Sequence, residues 1–269
     1  MTPSRSSIRE YLGSNDPHLQ ALGFDHLIEG LNSGRIRAAS RDAGGNWVAH
    51  AWVKRGLLYG FRTGKLEELT AAPAPFFDKH TFPLKPLEVN DQVRLVPGGS
   101  SIRTGAYVGA GVICMPPMYI NTGAYVDEGT MVDSHALVGS CAQIGKRVHL
   151  SAAVQVGGVL EPPGALPVII EDDSFIGGGC GIYEGCIVRE SAVLAPGVIL
   201  TSSTRLYDLV HERIIETGEV PPRAVVVPGS RNKPDSFARE HGIATYVPVI
   251  VKYRDARTDA ATELESALR

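Results

Sequence analysis

Residues 120–150 read INTGAYVDEGTMVDSHALVGSCAQIGKRVHL, and every sixth position is aliphatic: Ile120, Val126, Val132, Val138, Ile144 and Leu150. The count runs back through Cys114, Val108 and Ile102 and on to Val156. It then breaks, and resumes at Ile170, Ile176, Ile182, Val188, Leu194, Leu200 and Leu206. Four places after most of these comes a small or β-branched residue, such as Ala124, Thr130, Ala136, Ala142, Cys180 or Ala192. A period of six is neither the 3.6 of a helix nor the 2 of an ordinary strand. It is the period of a parallel β-helix. Each hexapeptide makes one side of a prism, three sides close a coil, and coils stack about 4.8 Å apart. Bulky residues fill the interior and small ones fit the corners.

The expected fold is therefore mainly β, a parallel β-helix of hexapeptide repeats over residues 99–209. An α-rich N-terminal domain over 1–98 and a small α/β cap over 210–269 close its ends, since an uncapped coil exposes core and strand edges. In the N-terminal part, Ile8, Tyr11 and Leu12, then Leu19, Leu22, Leu27 and Leu31, carry helical spacing, with Asn15 or Asp16 as a cap between two helices. Residues 35–51 read as a hairpin around Gly44-Gly45, residues 52–61 as a third helix, and Phe76, Phe77 and Phe82 as part of a proline-punctuated connector. Residues 224–227 and 246–253 read as strands and 258–268 as a short amphipathic helix. The break in the period, Val156 to Ile170, holds eight extra residues with Pro162, Pro163, Gly164 and Pro167. That composition predicts an external loop over 158–168 leaving one corner, and loops leaving a rigid solenoid frequently carry function.

Composition narrows the class. The net charge is −3 with no basic tail, which argues against nucleic acid or an anionic membrane as the main partner. No apolar run approaches the roughly 20 residues of a membrane span, and residues 1–12 lack a signal-peptide core. The four cysteines form no CxxC pair; Cys180 and Cys186 fall at small inward positions. Reduced core cysteines and a cytoplasmic location are expected.

Residues 123–145 read GAYVDEGTMVDSHALVGSCAQIG, followed by Val148-His149-Leu150-Ser151 and Gly157-Gly158-Val159-Leu160-Glu161-Pro162. This run resembles the tetrahydrodipicolinate N-succinyltransferases, a family of hexapeptide acyltransferases. Phe77-Asp78-Lys79, Val93-Arg94-Leu95-Val96-Pro97 and Val249-Ile250-Val251-Lys252 extend the likeness outside the repeat. The resemblance implies a left-handed coil, a homotrimer with active sites between subunits, and succinyl-coenzyme A as co-substrate with no permanently bound cofactor. It implies transfer of a succinyl group to the amine of ring-opened tetrahydrodipicolinate, on the route to diaminopimelate and lysine. One stretch departs from the family pattern Ile-Gly-Ala-Arg-Ser-Glu-Val-Val-Glu-Gly. Here it reads Ile176-Gly177-Gly178-Gly179-Cys180-Gly181-Ile182-Tyr183-Glu184-Gly185. Gly181 stands in place of the first glutamate, so no role of that glutamate carries over; Glu184 matches the second.

Acyl transfer from a thioester to an amine needs a deprotonated amine, donors for the developing oxyanion, and two substrates held in line. No GxSxG elbow or Ser-His-Asp order points to an acyl-enzyme, so direct attack is expected. The register puts Asp133-Ser134-His135, Ser151-Ala152-Ala153, Gly177-Gly178-Gly179 and Ala195-Pro196-Gly197 on one corner. A carboxylate thus lies at the foot of a column of tiny residues, the shape a thin pantetheine arm requires. Asp133 is the candidate to bind and deprotonate the amine, although an aspartate in open water, with a pKa of about 4, is a weak base. Arg94 is the candidate fork for a substrate carboxylate, and Ser140 a candidate hydroxyl for the acceptor. Gly157, Gly158, Gly177, Gly178 and Ala195 are candidate coenzyme contacts, with Arg231 and Lys233 for its phosphates and Glu184 as groove wall. His135 and His149 are expected on different corners with no third histidine in register, so no metal site is expected. Two other readings stay open: an acetyl-coenzyme A-dependent acetyltransferase acting on the same or another small amine, and a non-catalytic or carbonic-anhydrase-like β-helix.

Overall fold

The computed structural model describes residues 3–71 and 74–254. The helix expected over 258–268 lies outside the described residues. From Arg94 to Leu200 the chain winds into a coil whose strands are two residues long, one side chain turned in and one out. Three parallel sheets form the prism. The first face stacks Tyr107–Val108, Tyr125–Val126, Gln143–Ile144, Ile169–Ile170, Ile187–Val188 and Glu219–Val220. The second stacks Arg94–Leu95, Ile113–Cys114, Met131–Val132, His149–Leu150, Phe175–Ile176, Val193–Leu194 and the start of Ala224–Asn232. The third stacks Ser101–Ile102, Tyr119–Ile120, Leu137–Val138, Gln155–Val156, Gly181–Ile182 and Ile199–Leu200. The period-six residues on these faces form one buried core, and the small residues four places on are buried beside them.

Both ends of the repeat differ from the sequence expectation. The lowest rung of the second face is Arg94–Leu95, ahead of residue 99. At the top, Leu206 keeps the count of six but does not stack on Val188. Leu206–Asp208 instead pairs with Arg213–Ile215 and with Ala244–Tyr253. The coil is resumed by Val220 on Val188 and Val226 on Leu194. Residues 206–215 are thus an excursion, and Glu219–Val220 and Ala224–Asn232 continue the prism past 209. Ala224–Asn232 and Ala244–Tyr253 then form a long antiparallel hairpin whose far end carries the five-residue helix Ser236–Glu240.

The N-terminal part packs helices α1 (Arg5–Leu12), α2 (Pro17–Asn32) and α3 (Ala51–Thr63) around Ile8, Phe24, Leu27, Leu31, Val53 and Leu57. Asp16 caps α2 by accepting the His18 N–H at 2.9 Å, with Pro17 at the first helical position. The expected hairpin is present as Ala39–Arg41 against Trp47–Ala49. The segment expected as a connector contains a second hairpin, Leu66–Ala71 against Ala74–Lys79. This unit is fastened to the first face. The Arg37 guanidinium lies 3.7 Å over the Tyr125 ring and donates to Gln143 at 2.8 Å, and Trp47 Nε1 donates to the buried Glu171 at 2.7 Å.

Candidate active site

The corner between the second and third faces is built as the register predicts. Asp133, Ser151, Gly177 and Ala195 each follow a strand of the second face, one rung above another. Asp133 Oδ1 accepts the Ser134 N–H at 2.7 Å, a turn bond that fixes the carboxylate. Its other oxygen has no partner among the described residues. Directly above, successive corner residues 135, 153, 179 and 197 take positive φ values near +60 to +80°, and 153, 179 and 197 hand their N–H groups to the corner below. The N–H groups of Ala152 and Gly178 have no acceptor among the described residues, so two backbone donors stand above the carboxylate. A Cβ on Gly179 or Gly197 would meet nothing within 4 Å, so the column opens outward there.

Other predicted contacts separate from this column. The Gly177 N–H is spent on Leu194 and the Ala195 N–H on Val226, and Ala195 is 1% exposed. Neither therefore offers an amide to a ligand; a two-residue ladder bond consumes it. Gly157, Gly158, Ser140 and Glu184 lie on the next corner, after the third face. Gly157 donates its N–H to Ile182, whereas the N–H of the exposed Gly158 has no acceptor among the described residues. Ser140 is 8% exposed, buried under the root of the external loop at Gly158. Loop residues 157–168 do leave this corner, between Gln155–Val156 and Ile169–Ile170. With Tyr183, Glu184 and Ser202 the loop walls a groove of about 770 Å³. The Glu184 carboxylate accepts from the Ser202 hydroxyl at 2.8 Å.

Arg94 is exposed on the lowest rung of the second face, three strands below His149, and has no ion pair among the described residues. Arg231 and Lys233 lie apart from both corners, in a 450 Å³ hollow shared with Tyr207 and Tyr246. There Arg231 donates to the Tyr207 hydroxyl at 2.7 Å.

Sequence reasoning missed two residues near the site. His149 is not a corner residue. It is an outward strand residue of the second face, next to Asp133 and 5.0 Å from the Phe175 ring centroid. Burial pulls its pKa down from the ordinary imidazole value, and the Asp133 charge opposes that shift. The second is Lys54 on α3, which is fully buried and donates to the Ala165 carbonyl of the loop at 2.6 Å. A lysine in the middle of a helix gives no sequence signal of this kind. The four cysteines are unpaired and buried, and burial pushes the thiols of Cys114, Cys141 and Cys186 to about 12 and of Cys180 to about 11. Among the described residues no three metal-binding side chains converge.

Comparison with known proteins covers both units. Residues 10–63 match the N-terminal region of tetrahydrodipicolinate N-succinyltransferase, and residues 167–202 match the hexapeptide repeat of succinyl-transferase. That repeat class is the left-handed parallel β-helix. The chain is 44% identical over 251 residues to the 2,3,4,5-tetrahydropyridine-2,6-dicarboxylate N-succinyltransferase of Albidiferax ferrireducens, spanning 91% of this chain and 88% of that one. It is 42% identical over 254 residues to the protein of the same name from Variovorax paradoxus, with 91% and 88% covered. The corresponding protein of Wolbachia pipientis wMel gives 42% over 254 residues, with 92% and 89% covered. On this similarity, which runs through the helical unit, the coil and its loop, the chain belongs to the tetrahydrodipicolinate N-succinyltransferase family.

Proposed function

We propose that this chain transfers a succinyl group from succinyl-coenzyme A to the amine of ring-opened tetrahydrodipicolinate, a step toward diaminopimelate and lysine. The observation that carries this reading, within a chain of this family, is the juxtaposition at one corner of the Asp133 carboxylate and the free N–H groups of Ala152 and Gly178 above it. The carboxylate takes a proton from the amine, whose lone pair attacks the thioester carbonyl. The carbonyl oxygen becomes an oxyanion, for which the two amides are donors. As the C–N bond closes the C–S bond breaks, and the leaving thiolate takes the proton that Asp133 received, giving the free thiol of the coenzyme and restoring the carboxylate.

Each prism has convex outer faces, and neither corner alone encloses two substrates. The assembly proposed is a C3 homotrimer in which the Asp133 corner faces a neighbouring subunit. Arg94 is assigned to a substrate carboxylate, and the Arg231–Lys233 hollow to the coenzyme phosphates. Among the described residues no helix is long and apolar enough to cross a membrane. The unpaired cysteines suit a reducing cytoplasm.

The test is release of free thiol from succinyl- and acetyl-coenzyme A with 2-aminopimelate as the amine. Faster turnover of the succinyl donor supports the reading. Preference for acetyl moves the assignment to an acetyltransferase, and thiol release from neither donor removes the catalytic reading.

A further inference from the structure

The Tyr183 ring folds back over the third face and lies against two glycines. A Cβ on Gly181 would come 2.6 Å from the ring and 2.8 Å from its hydroxyl, and a Cβ on Gly157 would come 2.7 Å from the ring. The outward position that Gly181 holds is filled on the other rungs by Ser101, Tyr119, Leu137, Gln155 and Ile199. Only a glycine there leaves room for the phenol. The pattern that this stretch resembles has glutamate at this position and valine two residues later; this chain has Gly181 and Tyr183. The absence of a side chain at 181 makes the space, and the ring from 183 fills it.

That hydroxyl is not used by the protein. Tyr183 is half-buried, lines the groove under the external loop, and its Oη makes no hydrogen bond among the described residues. The groove walls include Gly158, Val159, Ala165, Leu166 and Thr201 with the carboxylates Glu161 and Glu184, and among the described residues no lysine or arginine lines it. Such a lining repels a dianionic acceptor. It suits a thin uncharged arm carrying carbonyl oxygens, for which a phenol is a donor. We infer that Tyr183, seated on Gly157 and Gly181, contacts the acyl-coenzyme A arm and donates a hydrogen bond to one of its carbonyl oxygens. This rests on the succinyltransferase reading and adds to it a residue that differs from the family pattern.

The experiment is steady-state kinetics and melting of Tyr183→Phe, Gly181→Glu and the double variant Gly181→Glu/Tyr183→Val. Tyr183→Phe keeps the ring and removes one donor, so the KM for succinyl-coenzyme A rises about 5- to 10-fold, with the KM for the amine and the melting temperature unchanged. Gly181→Glu alone loses activity and melts earlier, and the added Tyr183→Val restores the melting temperature and part of the turnover. Donor KM within twofold of wild type in Tyr183→Phe overturns the inference, whatever the other variants do. If the wild-type protein turns over no donor, the functional reading fails separately. Calorimetric binding of succinyl-coenzyme A then decides, and equal affinity, or none, in wild type and Tyr183→Phe overturns the inference.

Discussion

Lys54 Nζ, on α3 of the helical unit, donates a 2.6 Å hydrogen bond to the Ala165 carbonyl on the external loop of the coil. The contact joins residues 111 positions apart and ties the N-terminal unit to the loop that walls the groove. Burial lowers the pKa of the ammonium, while the neighbouring Cys141 acts in the opposite direction. Lys54→Met keeps the stem volume and removes the donor. Its expected result is a roughly 10-fold or greater loss of kcat/KM, the scale for a hydrogen bond from a charged group. Fold stability changes little, because a buried charge is removed along with its partner bond. Limited proteolysis within residues 158–168 should be faster in the variant. An unchanged cleavage rate would show that the loop holds its shape without Lys54.

The top of the coil is pinned by Asp208. Its carboxylate is buried and accepts from Tyr253 Oη at 2.7 Å, His211 Nδ1 at 3.0 Å and Arg213 Nε at 3.0 Å. Burial by itself pushes this carboxyl up, but the hydrogen bonds outweigh it and hold the pKa at about 2. An unfolded aspartate titrates at about 4. Between those values the unfolded chain binds the extra proton, so the stabilisation is full above about pH 4 and is lost as pH falls toward 2. Its size is on the order of 2 kcal/mol. Asp208→Asn should lower the melting temperature at pH 7 and flatten its decline between pH 4 and pH 2. A variant whose melting temperature falls as steeply as wild type over that window would place the acid sensitivity elsewhere.

Two glycines of one corner, Gly177 and Gly179, separate packing from conformation. A Cβ on Gly177 would lie 2.5 Å from Pro196 N and 2.7 Å from Leu194 O, both backbone atoms that cannot swing away. A Cβ on Gly179 would meet nothing within 4 Å, but its φ is +68°. Gly177→Ala is expected to cost about 1–3 kcal/mol by overpacking. Gly179→Ala is expected to cost about 1–2 kcal/mol through left-handed strain, while placing a methyl group on the open column and weakening coenzyme binding. Denaturant melts and donor KM values measured on the pair distinguish these effects. Equal stability losses with equal donor KM values would remove the column from the binding site.

The period of six made the coil, its three faces and its corners readable, because one inward aliphatic side chain per rung is a strict steric demand. It failed where a hydrophobic residue in register is claimed by another partner. Leu206 keeps the count, yet its strand pairs with Ala244–Tyr253, and Val220 takes the rung instead. The hairpin of Leu66–Lys79 was hidden because Pro73 and Pro75 read as punctuation. Register also located the Asp133 column but not which of its amides are free. Ala195 and Gly178 look alike in sequence, and only the ladder shows that one N–H is donated to Val226 and the other is not. Long-range contacts such as Lys54 to Ala165 leave no local pattern at all.

The proposed assembly predicts that sedimentation equilibrium gives three times the 28.7 kDa chain mass at assay concentrations. Activity should fall on dilution in step with dissociation, because a site shared between subunits is lost with the neighbour. A fully active monomer would remove the shared-site account.

Asp133 and Glu184 lie on different corners. Asp133 leads into Leu137–Val138, and Glu184 follows Gly181–Ile182 two rungs higher on the same face, an axial offset of about 10 Å. That is beyond hydrogen-bond reach or a single bridging water, so within one chain they are not a carboxylate pair. The most direct measurement is kcat of Asp133→Asn beside Glu184→Gln. Asparagine retains the turn bond to Ser134 and loses only charge and basicity. The account predicts a fall of about 100-fold or more for Asp133→Asn, with the melting temperature held, and a much smaller loss for Glu184→Gln. Near-normal turnover of Asp133→Asn, or equal abolition by both substitutions, would contradict it.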